Sequence, residues 1–75
     1  MIDVVAAVIL QLAHRGQLVR RTDVELWFAL AQAREDLSAQ AGGAEWIELS
    51  DQQRIDQVLQ ARSWFQAARD AGMVA

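Results

Sequence analysis

The chain is 75 residues long and 53% hydrophobic, with seven basic and ten acidic residues and a net charge of −3. A single domain of this size buries only about 60% of the surface its unfolded chain exposes, so it needs a stabilising aid. Cysteine and lysine are absent and histidine occurs once, at His14. That excludes disulfides, thiolate zinc sites and lysine-based Schiff-base or phosphate-loop chemistry, and leaves association with another subunit as the aid.

The acidic balance sets the overall field against nucleic acid, so contact with it would need a local basic patch. The longest apolar run, Val4 to Leu10, is far below the ~20 residues that span a bilayer. Asp3 stands where a secretory signal would carry a basic residue. The expectation is a cytoplasmic protein with no membrane association.

No proline interrupts the chain and alanine is plentiful, so it reads as three helices, near 2–15, 23–41 and 51–71. In the first, Ile2, Val4, Val5, Val8, Ile9 and Leu12 share about 160° of the circumference, opposite Asp3, Ala7, Gln11 and His14. The β-branched content would also suit a strand, but period-2 alternation is missing. His14-Arg15-Gly16 closes this helix with a cation and a glycine.

Thr22-Asp23-Val24-Glu25 has the capping-box pattern and makes Thr22 the expected N-cap of the second helix. Leu26, Leu30, Ala33 and Leu37 form one stripe, which Val24, Trp27, Phe28 and Ala31 extend sideways to roughly 220° of the circumference. Only Glu25, Gln32, Asp36 and Gln40 are left as a wet strip. So wide an arc needs at least two neighbours, which makes this the central helix. Gly42-Gly43 ends it, and Glu45-Trp46-Ile47-Glu48-Leu49 is expected to fold back over the end of the bundle.

Ser50-Asp51-Gln52-Gln53 repeats the capping box before the third helix. There Ile55, Val58, Leu59, Ala61, Phe65 and Ala68 share one side. Arg62 and Arg69 fall inside that sector, either snorkelling along its edge or pairing with Glu35 or Asp36, within the chain or across a dimer. Trp64 projects the other way, among Gln53, Gln57, Gln60 and Ala71. Gly72 stops the helix, with Met73-Val74 folding back onto it.

The fold class expected is all-α, a compact three-helix bundle in which residues 1–75 form one domain. The wide arc of the second helix and the rich face of the first exceed what the third can cover. The bundle is therefore expected to dimerise through helices 1 and 2, with Val5, Ile9, Trp27 and Phe28 at the interface.

Catalytic chemistry finds no foothold. Ser38, Ser50 and Ser63 lie in no triad motif, Gly42-Gly43 lacks a phosphate-loop frame, and no metal or cofactor is implied. His14 is better placed as a cation at a helix C-terminus. His14, Arg15, Arg20 and Arg21 cluster beside a helix-turn-helix-like outline, which makes a small DNA-binding regulator the alternative. Against it, the second helix is apolar over most of its circumference, where a recognition helix presents base-reading side chains. The reading is therefore a non-enzymatic protein–protein interaction module: an adaptor, an inhibitor or an antidote-like regulator. Its expected working surface is Trp64 with Gln57 and Gln60 around it, followed by the Arg15, Arg20 and Arg21 corner.

Overall fold

Residues 3–73, which the computed structural model describes, form α1 (Val4–His14), α2 (Arg21–Gln40) and α3 (Asp51–Asp70), with a 3-10 turn at Trp46–Glu48 between the last two. No strand occurs among the described residues, and the all-α three-helix reading holds. Ile2, expected on the apolar face of the first helix, lies outside the described residues.

Asp3 starts α1. One carboxylate oxygen accepts from the backbone N–H groups of Val5 (3.1 Å) and Ala6 (3.3 Å), an N-cap at the positive end of the helix. The other accepts from the Arg21 guanidinium at 3.1 Å. One side chain thus caps α1 and clasps it to the start of α2. The Arg21 hydrogen bond, and after it the Ala6 N–H, hold the Asp3 carboxyl below the usual carboxylate range.

The Thr22 cap does not form. Helix α2 begins two residues earlier than expected, and its N-cap, Arg20, makes no side-chain capping bond. The reason is local competition for the acids. The Arg20 guanidinium donates to both oxygens of Asp23 at 3.0 and 3.1 Å, and Arg21 donates to Glu25 at 3.1 Å. Glu25 is thereby drawn away from the backbone it would have reached in a box. At α3 the box is complete: Ser50 Oγ accepts from the Gln53 N–H at 3.2 Å, and Gln53 Oε1 accepts from the Ser50 N–H at 2.8 Å.

All three helices end alike. The N–H groups of Gln17, Gly43 and Met73 reach back to the carbonyls of Leu12, Ser38 and Ala68 at 2.9, 2.7 and 2.9 Å. Gly16, Gly42 and Gly72 provide the left-handed turn at φ 76°, 97° and 76°, the Schellman arrangement. The Met73 side chain stays 79% exposed instead of packing on α3 as expected, and Val74 lies outside the described residues.

The core joins Val4, Val5, Val8 and Leu12 of α1, Val24, Trp27 and Ala31 of α2, and Ile55, Val58 and Ala61 of α3; no polar or charged side chain is buried among the described residues. Helix α2 is central as expected, packing on α1, α3 and the 3-10 turn. Trp46 closes one end of the bundle as a lid. Its ring meets Phe28 edge-on, with centroids 5.3 Å apart, and Arg54 holds the turn by donating to the carbonyls of Trp46 (3.3 Å) and Ile47 (2.9 Å).

Two residues expected at a dimer interface are occupied by this core. Val5 and Trp27 are buried in it, and Ile9 and Phe28 lie half-buried against it. The apolar face of α1 meets both α2 and α3. The surplus apolar surface lies elsewhere.

Candidate functional site

The stripe along α2 holds the contiguous part of that surplus, Leu10, Leu18 and Ile47 being exposed apart from it. Leu26, Leu30 and Leu37 remain 42%, 39% and 66% exposed, although they form the clearest apolar row on the helix. Their sector points past α3 instead of into it, because the other half of the wide arc, Val24, Trp27 and Ala31, takes the core positions. Together with Ala33 and Arg34, and with Trp64, Phe65 and Ala68 of α3, these leucines line an open groove of about 750 Å³. Contiguous apolar surface of this kind on a small domain marks a docking face more often than scattered single residues do.

Trp64 forms one wall of the groove and is half-buried. The Arg34 guanidinium lies 4.1 Å from its ring centroid, a cation–π contact worth about 0.5–1 kcal/mol at an exposed site. The surround expected for Trp64 is only partly present. Gln53 is engaged in the Ser50 cap. Gln57 is half-buried, with an Oε1 that has no hydrogen-bond partner, while Gln60 is exposed. What the fold brings to Trp64 is the leucine row of α2, which a wheel drawn on α3 alone could not show.

The arginine corner is largely neutralised from within. Arg20 is bound to Asp23, and Arg21 to Asp3 and Glu25. Both guanidiniums have their pKa raised, chiefly by the hydrogen bonds to Asp23 and Asp3 respectively. Arg15 is exposed at the C-cap of α1. This corner presents three acids with its three arginines, which weakens its attraction for phosphate.

Within the chain, Arg62 and Arg69 form no ion pair with Glu35 or Asp36. Their guanidiniums lie over Trp27 (5.6 Å) and Phe65 (5.3 Å), so the stems run along apolar surface as in the snorkelling reading. They flank a smaller depression of about 320 Å³ beside Arg20 and Asp23. Trp27 Nε1 and Arg62 Nε are buried there without a hydrogen-bond partner.

Among the described residues no three or more His, Asp or Glu side chains gather as metal ligands would, and no helix is long and apolar enough to cross a membrane. Comparison with protein-family models, with curated proteins and with solved structures finds no match to this chain.

Proposed function

We propose that this chain is a small, non-enzymatic protein–protein interaction module, of the adaptor, inhibitor or antidote-like regulatory kind, working in the cytoplasm by docking an apolar helix in the α2/α3 groove. The observation that carries the reading is the exposure of Leu26, Leu30 and Leu37 beside Trp64. A row of leucines at i, i+4 and i+11, with Ala33 at i+7 and an aromatic wall beside it, is the receiving half of helix-in-groove recognition. Trp64 and Arg34 are of the residue types most enriched at binding hot spots. The lone histidine and the absence of cysteine and lysine leave no nucleophile–base set to argue for catalysis.

Immobilised wild-type chain, presented to extract from its source, should retain a polypeptide that Leu30→Glu and Trp64→Ala variants fail to retain. An Arg20→Ala/Arg21→Ala variant should retain it as well as wild type. Retention unaffected by the groove substitutions, or salt-sensitive binding of duplex DNA lost with Arg20 and Arg21, would overturn the reading.

A further inference from the structure

We propose that the helix seated in this groove, in the resting state of the protein, is α2 of a second copy of the same chain, laid antiparallel about a two-fold axis. The inference rests on the groove being a docking surface and goes further by naming its occupant.

The spacing along α2 is what selects the occupant. Leu26, Leu30, Ala33 and Leu37 follow one another at intervals of four, three and four, the a/d spacing of a coiled-coil seam. That series reads the same from either end. Turned end for end, the row sets Leu26 against Leu37 of the second copy and Leu30 against its Ala33. The two central contacts then place a large side chain against a small one, the interdigitation that close packing requires. A parallel pair would instead set Ala33 on Ala33 and open a gap between two leucine layers.

Electrostatics agree with the antiparallel arrangement. On the flank of the seam away from α3, the same reversal places Glu25 near Gln40 and Ala29 near Asp36, so no two acids face one another. The one charged group lining the groove, Arg34, is stacked on its own Trp64. Antiparallel helices also align their macrodipoles favourably. A foreign helix has no matching charge pattern in the groove to select it, whereas the self-complementary spacing selects a second α2.

The available area sets the strength. The leucine row is about 16 Å long, at 1.5 Å per residue. With α3 beside it, the contact face is two helices wide. A contact that short belongs with the small, transient interfaces, so the pairing is expected to depend on concentration. A partner protein would compete for the same seam, so pairing of the copies holds the docking face closed until a better-fitting helix displaces one of them.

Sedimentation velocity across micromolar to submillimolar concentrations is the first test. The wild type should shift from the monomer mass to twice that mass. Leu30→Glu and Leu37→Glu should stay monomeric, weakening association at least tenfold, with an unchanged helical circular dichroism signal because both side chains are exposed. Orientation is read by cross-linking, for which the absence of native cysteine is convenient. Oxidised Leu26→Cys/Leu37→Cys should form a covalent dimer. Leu26→Cys alone should not, because its two copies would stand about 16 Å apart, beyond the ~6.8 Å between Cα atoms that a disulfide tolerates.

A monomer at every concentration, a dimer indifferent to the two Glu variants, or efficient cross-linking by Leu26→Cys alone would overturn the proposal. The Trp64 indole resonance under a soluble paramagnetic probe separates this failure from failure of the docking reading. A monomer with Trp64 open to the probe keeps the groove as a docking face but without its twin, whereas a monomer with Trp64 shielded removes both.

Discussion

Three leucines to alanine separate what serves the fold from what serves the surface. Leu12 has no exposed area, while Leu37 is 66% exposed on the groove. Leu12→Ala removes a fully buried side chain from among Val8, Val24 and Val58, also fully buried, and leaves a cavity. Transfer and cavity terms together should cost about 3–5 kcal/mol. At about 0.05–0.15 kcal/mol per residue, a domain of this length has only about 4–11 kcal/mol in total, so this variant should lose a large share of its stability. For Leu37 only a third of the side chain is buried. Full burial of a leucine is worth about 1.5–3 kcal/mol, so Leu37→Ala should cost about 0.5–1 kcal/mol, and Leu30→Ala somewhat more. Urea unfolding followed by circular dichroism, at protein concentrations low enough to keep the chain monomeric, gives the comparison directly. If Leu37→Ala destabilises the dilute protein as much as Leu12→Ala, the row is structural and the argument for a docking face fails.

Ser50→Ala should lower stability by about 1 kcal/mol, or about 4–8 °C in Tm, by breaking the box at α3; Thr22→Ala should shift the thermal melt little, because Thr22 caps nothing. Asp3 has a folded-state pKa below its ordinary 3.8, so its contribution is complete above that pH and is lost as pH falls through the lowered value. The gap in urea stability between neutral pH and strongly acidic solution should therefore narrow in Asp3→Asn, which keeps an acceptor for Val5 and Ala6 but has no charge to lose; an undiminished gap would count against the Arg21 clasp. Gly43→Ala should destabilise the α2 end, since an added Cβ would stand 2.9 Å from the Ser38 carbonyl oxygen and closer still to its hydroxyl; an unchanged melting curve would show that the turn can relax.

Those positions also mark how far the sequence could be read. Local signals carried well: the Ser50–Gln53 box, the three glycine stops, and the return of Trp46 over the bundle end depend on neighbours close in the chain. Thr22 failed although its pattern was equally good, because two adjacent arginines compete for the acids on which a box depends. Asp3 was legible in principle, as an acid immediately before an apolar run, yet a helical wheel placed it only on the wet side. The groove was half legible. The leucine row was evident, and so was the excess of apolar surface, but a wheel gives an arc without saying which edge a neighbour covers. Val5 and Trp27 proved to lie on the covered edge and Leu26, Leu30 and Leu37 on the open one. The wheel of its own helix singled out Trp64 but gave it a surround of glutamines, since its wall partners stand some thirty residues earlier.

A core made only of aliphatic and tryptophan side chains, with no polar or charged residue among its buried members, asks of its residues little more than volume. Such interiors tolerate exchange among hydrophobic types as long as total volume is kept. Substitution in a drifting lineage would therefore collect in the interior, while the glycine that stops each helix and the serine that opens α3 would resist it. The identity of this fold would then persist in its boundaries after its filling had been rewritten.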